Sequence, residues 1–216
     1  MFQKGQKKMT LEQKLNSGTQ YRDFSALVPQ EDMIVEGYAT TFNEPYLLWR
    51  EDGYEVWEQV DARAFDETNL GDCVLQYDHS GRVFARSSNG TLTLRTDDHG
   101  LHVTALLGGT ELGRQLYEEI KGGYTNKMSF GFTVDEDRRE IVEEENNVRV
   151  MRTILKIGRL YDVSAVSIPA NDGTSISARS YGVECVREVA EEFRKRDERE
   201  AQKARIKALT EVNYGE

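Results

Sequence analysis

The middle of the chain alternates apolar and polar residues over short stretches, a pattern typical of half-buried strands. Glu55–Val60 (EVWEQV) shows this two-residue period most clearly. Similar strand-like runs occur, in chain order, at Ile34–Phe42, Val74–Tyr77, Thr91–Arg95, Leu101–Leu107, Lys127–Val134, Val148–Lys156 and Tyr161–Ile168. The Asp- and Gly-rich segment Thr96–Gly100 joins two of these runs and predicts a β-hairpin turn.

One segment breaks this rhythm and predicts a short amphipathic helix over Glu111–Lys121. Apolar residues recur there at four-residue intervals from Leu112 to Ile120. Thr110 is a suitable N-cap, and Gly122-Gly123 ends the run. Many short strands with one clear helix predict a mainly β protein with helices (α+β). We expect a closed or partly open antiparallel β-barrel.

The two ends of the chain differ from this middle part. Residues 1–32 are polar and have no clear period, so they are predicted to form a flexible N-terminal arm. Residues 182–216 are dense in Glu, Lys and Arg, with a thin apolar stripe from Val183 to Phe193. They predict a long, charged C-terminal helix and tail. Residues 33–181 are left as a single folded domain.

Composition and charge exclude several classes of function. The 216 residues include 28 Lys and Arg against 38 Asp and Glu, a net charge of −10. Binding to nucleic-acid phosphates normally requires a basic stripe, so we expect no nucleic-acid partner. No apolar run approaches the ~18 residues of a membrane span, and the basic N-terminus lacks the apolar stretch of a secretory signal. We therefore expect a soluble, cytoplasmic protein with no membrane partner.

The two cysteines, Cys73 and Cys185, lie far apart in the sequence and near no other residues of the metal-ligand type. Neither a disulfide framework nor a zinc site is expected from this spacing. Reduced thiols in a cytosol fit best. We expect no metal and no cofactor.

The chain has three histidines, of which His79 has the most informative position. It closely follows the apolar run Val74–Tyr77, where a rigid strand can deliver an imidazole into a cleft as a general base. A surface histidine beside a turn fits the same pattern. His99 lies in the predicted hairpin turn and His102 just after it.

Ser129 lies in the segment KMSFGF. Alternation places Ser129 and Gly131 on one face of the predicted strand. Met128, Phe130 and Phe132 then lie on the other face. A small hydroxyl that faces a cleft and is backed by apolar side chains suits a strand-borne nucleophile, and Gly131 would let a substrate backbone approach. A serine on a solvated strand face, with Gly131 marking a bulge, is the alternative.

Asp162 opens an otherwise apolar strand. An unpaired buried carboxylate is costly, so Asp162 must be hydrogen-bonded or lie near the surface. Orienting an imidazole would satisfy this requirement. A salt bridge to Arg159 or Arg152 would satisfy it equally well.

Five segments in order carry a resemblance to a known family: GYATTFNEPY (37–46), VDARAF (60–65), LQYDHS (75–80), KMSFGF (127–132) and LYDVSAVSIPAN (160–171). Together they resemble the prohead proteases of tailed phages, which are similar in fold to the assemblin proteases of herpesviruses. The resemblance spans roughly residues 33–178. Two positions depart from the pattern: Arg63 stands where Gly is usual, and Asp162 where Glu is common.

The resemblance implies a serine endopeptidase whose protease domain is residues 33–181. It implies that Ser129 is the nucleophile, His79 the general base and then the general acid, and Asp162 the orienting acid. Assemblins use a second histidine as the third member. His99 or His102 is therefore the alternative to Asp162, whose side chain is one methylene shorter than that of Glu.

The resemblance also implies a role in virus assembly. The expected substrates are scaffold segments and N-terminal segments of the major capsid protein, cleaved inside the assembling prohead in the cytoplasm of the bacterial host. Self-cleavage in the arm or in the C-terminal helix would be consistent with this activity, and a homodimer with the analogy to assemblins. Backbone N–H groups near Pro169–Asn171 are expected to bind the oxyanion. The alternative is a catalytically inactive, protease-like β-barrel that acts as a capsid-assembly scaffold module.

Overall fold

A computed structural model describes residues 20–51, 53–144, 147–166 and 176–213. These ranges contain eleven β-strands, two α-helices and one short 3-10 helix, Ser87–Asn89. The strands are β1 Gln20–Ala26, β2 Val28–Pro29, β3 Ile34–Thr41, β4 Tyr46–Glu51, β5 Tyr54–Val60, β6 Val74–Tyr77, β7 Ser80–Arg86, β8 Leu92–Thr96, β9 Gly100–Leu106, β10 Lys127–Glu144 and β11 Asn147–Val166. The helices are α1 Glu111–Lys121 and α2 Ile176–Asn213.

The strands form two sheets. The larger has the order β1-β10-β11-β5-β4, and β6 and β7 form a hairpin that also joins it. Strand β11 is long enough to hold two parallel partners on one edge, β5 along its first half and β6 along its second half. The smaller sheet has the order β2-β3-β9-β8.

This architecture agrees with the predicted mainly β class with a C-terminal helix. The closed barrel is not confirmed. Within the described ranges neither sheet closes on itself, and one isolated bridge, between Phe42 and Val60, links their edges. No helix in this part of the chain combines the length and the apolar character needed to cross a membrane.

Two clusters of buried side chains hold the elements together. The larger cluster packs the two sheets and α1 against each other, and Phe130 and Phe132 are among its fully buried members. The smaller cluster lies where α2 packs on β4 and β5, with Trp49, Val56 and Val189 buried between them. The strand that carries Ser129 therefore has a rigid apolar support.

Part of the predicted flexible arm is a strand. Residues 1–19 lie outside the described residues, but β1 pairs with β10 in an antiparallel ladder from Gln20↔Phe132 to Ala26↔Lys127. The polar composition of this segment misled the prediction because backbone hydrogen bonds can form a strand without an apolar period. The proposed division into arm, domain and tail stays a prediction.

The predicted strand run Lys127–Val134 ends too early. Residues 135–144 continue β10, and they pair with β11 until Glu144 meets Asn147. The two strands predicted at Val148–Lys156 and Tyr161–Ile168 are one continuous strand up to Val166. Backbone hydrogen bonds to the partner strand keep each polar stretch extended. The residue pattern of one strand taken alone does not reveal this pairing.

Candidate active site

Ser129 lies in the buried first half of β10. Its backbone is opposite Ser164 of β11 on one side and Asp23 of β1 on the other. The rings of the neighbouring Phe130 and Phe132 stack with their centroids 4.4 Å apart, and both are fully buried. This packing fixes the backbone that carries the Ser129 hydroxyl.

His79 lies at the tip of the β6–β7 hairpin, in a two-residue turn formed with Asp78. Tyr77 and Ser80 pair on either side of this turn. Asp78 and His79 both have positive φ, 45° and 54°, as the tight type I′ hairpin turn requires. The backbone N–H of His79 donates to Ser164 Oγ at 3.2 Å. The imidazole therefore projects from a short turn that is anchored to β11.

The structure brings His79, Ser129 and Asp162 together in a continuous hydrogen-bonded chain. His79 Nε2 lies 2.6 Å from Ser129 Oγ, and His79 Nδ1 lies 2.5 Å from Asp162 Oδ1. The Asp162 side chain is almost completely buried in β11. Since an ionised carboxylate can only accept hydrogen bonds, a neutral imidazole here carries its proton on Nδ1, and Nε2 is then able to accept the proton of the Ser129 hydroxyl. This order of hydroxyl, imidazole and carboxylate is that of an activated serine nucleophile.

Ser164 is a fourth polar residue of this cluster, and sequence reasoning did not assign it a role. Its hydroxyl donates to Asp162 Oδ1 at 2.9 Å and accepts from the His79 backbone N–H. The residue is fully buried. Alternation along β11 places Ser164 on the same face as Asp162, and this was the available signal. One hydroxyl thus links the histidine turn to the carboxylate.

The expected open cleft above Ser129 is absent among the described residues. Ser129 has no exposed surface, and its hydroxyl lies 2.9 Å from the backbone carbonyl oxygen of Arg22 in β1, within hydrogen-bond distance. Strand β1 brings this carbonyl to the hydroxyl because it pairs directly with the Ser129 segment of β10. The sequence prediction of a hydroxyl facing a cleft is therefore wrong for the chain in this conformation.

A buried cluster of charged side chains holds β1 against the neighbouring strands. Arg22 donates to Glu58 through Nε at 2.5 Å and Nη2 at 2.9 Å, and Arg152 donates to the same carboxylate at 2.6 Å. Tyr46 also donates to Glu58, and Arg152 donates to Asp137. Burial raises the pKa of Glu58, but the two guanidinium groups outweigh it and hold that pKa at about 2. The carboxylate therefore stays charged at neutral pH.

The alternative partners of the predicted site lie elsewhere. His99 and His102 pack edge-on against Tyr38 in the smaller sheet, with ring centroids 4.5 and 5.0 Å from that of Tyr38. Arg152 pairs with Glu58 and Asp137 rather than with Asp162. The guanidinium of Arg159 lies 4.8 Å from the ring centroid of Tyr161. Asp162 is thus the acid that contacts the imidazole.

Other chemistry at the site is limited by its surroundings. Burial, together with the nearby Asp162 carboxylate, raises the pKa of the Cys73 thiol to about 12, so this cysteine is not a thiolate nucleophile at neutral pH. No group of three or more His, Cys, Asp and Glu side chains in the described ranges could hold a metal ion. The expected oxyanion donors near Pro169–Asn171 lie outside the described residues.

Comparisons with known proteins agree with this chemistry. The model of the caudovirus prohead serine protease family matches residues 22–189. No curated protein matches the chain. One solved structure to which it is similar is that of the bacteriophage T4 capsid assembly protease, gp21, with a TM-score of 0.36 and 12% identity over 70% of this chain and 98% of that chain. A TM-score at this level supports no argument of its own.

Proposed function

The chain belongs to the caudovirus prohead serine protease family, and on that premise we propose that it is a serine endopeptidase that cleaves capsid and scaffold segments during prohead maturation. Ser129 is the nucleophile, His79 the general base and general acid, and Asp162 the orienting acid. The observation that carries this proposal is the unbroken chain of contacts from Ser129 Oγ through both nitrogens of His79 to Asp162, at 2.6 and 2.5 Å.

The reaction follows from these contacts. His79 Nε2 takes the proton of Ser129 as its Oγ bonds to the substrate carbonyl carbon, and the carbonyl electron pair moves to oxygen. Collapse of this tetrahedral intermediate breaks the C–N bond, and His79 gives its proton to the leaving amine. A water molecule then attacks the acyl carbon as His79 takes one of its protons. The C–Oγ bond breaks, and His79 returns that proton to Ser129 Oγ. Asp162 stabilises the imidazolium formed in each half of the reaction.

The surroundings of the triad favour a fixed geometry. The histidine turn, the Asp162 carboxylate and the hydroxyl of Ser164 are joined by hydrogen bonds of 2.5–3.2 Å. Ser129 rises from a strand whose neighbouring phenylalanines are fully buried. Such preorganisation lets the imidazole meet the hydroxyl without reorganising the site, which is how positioning lowers an activation barrier.

The proposal also covers the substrates and the compartment in which they are cleaved. We take the substrates to be segments of the scaffold and of the major capsid protein, cleaved inside the assembling prohead in the bacterial host. Self-cleavage and a homodimer remain predictions of the sequence. The protease domain is assigned to residues 33–181, joined by β1 from the preceding segment.

The burial of Ser129 favours one second candidate. A protease-like domain with an inaccessible serine could act as a non-catalytic assembly module, and Ser129 has no exposed surface here. The hydrogen bonds of His79 to the Ser129 hydroxyl and to the Asp162 carboxylate have no function in such a module. The endopeptidase is therefore the stronger proposal.

Co-expression distinguishes the endopeptidase from the non-catalytic assembly module. The chain is produced with the capsid and scaffold proteins of its phage as wild type, Ser129→Ala and the control Ser88→Ala, whose exposed hydroxyl bonds to Asp72 at 2.7 Å. Mass spectrometry of the products should find new termini with wild type and Ser88→Ala and none with Ser129→Ala. Identical products from all three chains, cleaved or uncleaved, would contradict the endopeptidase.

A further inference from the structure

Strand β1 places a backbone carbonyl directly beside the Ser129 hydroxyl. It runs antiparallel along β10, with Arg22 opposite Phe130 and Asp23 opposite Ser129. Its path places the carbonyl oxygen of Arg22 2.9 Å from Ser129 Oγ. The carbonyl group next to the serine hydroxyl is therefore one of the chain's own.

This segment of β10 has both of its edges paired. Lys127–Gly131 bonds to β11 on one side, and Lys127–Phe132 bonds to β1 on the other. Extended peptides commonly bind proteins by adding a strand to a sheet edge, with main-chain hydrogen bonds supplying the affinity. A substrate that adds to β10 as a strand beside Ser129 therefore needs the edge that β1 occupies.

We propose that the substrate docks on the edge of β10 that β1 now occupies, and that it binds there as an extended strand in place of β1. This inference rests on the proposed function. The chain as it stands is a closed form, and displacement of β1 opens the site. Gly131 fits this role, since it has no side chain and lies opposite Tyr21 on the same edge.

Strand β1 also interferes with proton transfer. Ser129 has one hydroxyl proton, and both His79 Nε2 and the Arg22 carbonyl are within hydrogen-bond distance of its oxygen. The carbonyl of Arg22 competes with the imidazole for this proton as long as β1 is paired. Removal of β1 leaves the proton to the general base.

The side chain of Arg22 ties β1 to the neighbouring strand β5. Arg22 is 4% exposed and makes two hydrogen bonds to Glu58 of β5. Glu58 keeps Arg152 and Tyr46 as partners when Arg22 is replaced, so the carboxylate is not left alone. Substitution of Arg22 therefore removes the tie between β1 and β5 while the hydrogen bonds of Glu58 to β11 and β4 stay in place.

The first test measures access to Ser129 with a fluorophosphonate, which labels activated serines. Four full-length chains are compared: wild type, Arg22→Met, Arg22→Lys and Arg63→Met, the last altering an exposed arginine that pairs with Asp66. Loss of a charged hydrogen-bonding group should make Arg22→Met react roughly 10- to 100-fold faster than wild type. Arg22→Lys, which keeps a charge for Glu58, should react more slowly than Arg22→Met, and Arg63→Met should match wild type. Equal rates for wild type and Arg22→Met would overturn the proposal.

The second test does not depend on the folding of an Arg22 variant. Hydrogen exchange is measured on Ser129→Ala with and without a synthetic peptide that spans a cleavage site found by co-expression. The peptide should speed exchange of the β1 amides and leave those of the β8–β9 hairpin unchanged. A bound peptide that leaves β1 fully protected would show that the substrate docks elsewhere.

The two proposals fail in different ways. Absence of Ser129-dependent cleavage in co-expression removes the endopeptidase and, with it, the docking edge. Ser129-dependent cleavage combined with equal labelling of wild type and Arg22→Met, or with unchanged β1 protection, removes only the docking edge.

Discussion

Asp162 and Ser164 stand two residues apart on β11, and both act on His79. Asp162 accepts from the ring nitrogen Nδ1, and Ser164 accepts from the backbone N–H of the same residue. In the proposed mechanism the acid fixes the tautomer of His79 and supplies a counter-charge, whereas Ser164 holds the position of the turn. The two contributions can be separated because each depends on a different atom of His79.

Replacing Asp162 by Asn should remove the counter-charge while keeping the shape of the side chain. We expect kcat to fall by about 10⁴-fold with little change in KM, since an amide cannot stabilise the imidazolium and favours the wrong tautomer. The measurement is steady-state cleavage of a peptide that spans a site found by co-expression. Asp162→Glu, which restores the charge, is the control. An Asn variant within tenfold of wild type would exclude Asp162 as the orienting acid.

Replacing Ser164 by Ala should weaken positioning without touching the reacting atoms. The variant loses a donor to Asp162 and leaves the backbone N–H of His79 without this acceptor. We expect kcat to fall by up to about 100-fold at unchanged KM, because small displacements of a catalytic group are costly. The free energy of unfolding should fall by about 1–3 kcal/mol. Ser164→Thr, which keeps the hydroxyl, should restore most of kcat; an equal loss in both variants would contradict a role for the hydrogen bonds.

At the level of elements, the site is assembled by strand register. The β10–β11 ladder sets Ser129 opposite Ser164, and the parallel pairing of β6 with β11 sets Val74 opposite Asp162. The β6–β7 turn then carries His79 back over the same face. Strands β10 and β11 thus supply Ser129 and Asp162, and the β6–β7 turn supplies His79. The turn tolerates few residue types, because both of its residues have positive φ.

The hairpin turn is therefore a sensitive position, and Asp78 tests it. Its φ of 45° suits Gly, Asn and Asp but disfavours a β-branched residue. Asp78→Val should lower the free energy of unfolding by about 1–3 kcal/mol and reduce the rate of Ser129 labelling, since the imidazole is displaced. Asp78→Gly should leave both quantities close to those of wild type. Urea denaturation and fluorophosphonate labelling measure the two effects, and a stable, fully reactive Val variant would contradict the strained turn.

At the level of the whole molecule, one buried cluster connects five strands of the larger sheet. Glu58 of β5 bonds to Arg22 of β1, Arg152 of β11 and Tyr46 of β4, and Arg152 bonds to Asp137 of β10. A buried charge that is fully paired is tolerated, but loss of one partner is expensive. Strand β1 and the strands that carry Ser129 and Asp162, β10 and β11, are therefore held by the same cluster of buried ion pairs.

Stability should depend on pH through this anchor. The folded pKa of Glu58 is about 2, below the 4.5 of an unperturbed carboxyl. Between these values the unfolded chain binds more protons, so the stabilisation is present above pH 4.5 and is lost as pH falls towards 2. Glu58→Gln should cost about 3–5 kcal/mol at neutral pH, because it leaves buried arginines without their counter-charge.

Urea denaturation of wild type and Glu58→Gln between pH 2 and 7 measures this effect. The difference in free energy of unfolding should shrink as pH falls from 4.5 to 2. Glu67→Gln, which removes an exposed partner of Lys156, should leave the free energy of unfolding close to that of wild type. A difference between wild type and Glu58→Gln that does not vary with pH would contradict a charged Glu58.

Much of the local structure could be predicted because its signals lie within one element. The two-residue period of β5, the capped and terminated run of α1 and the turn of the β8–β9 hairpin are local patterns, and each is present in the structure. The long C-terminal helix also follows from its composition, although it begins earlier, at Ile176. The order of the five motifs further identified the family and nominated Ser129, His79 and Asp162.

Tertiary structure alone decided which strands are neighbours and what covers each face. Alternation along β10 gives the two faces of that strand. It carries no information about which strand pairs with it, and Arg22 of β1 lies 107 residues before Ser129 in the sequence. The role of Ser164 likewise depends on where the β6–β7 turn lies relative to β11. The sequence by itself determined the elements and the candidate triad, since these depend on side-chain period and residue type. Long-range backbone pairing determined that β1 lies beside Ser129 and brings a backbone carbonyl to its hydroxyl, because hydrogen bonds between strands join segments that are far apart in the sequence.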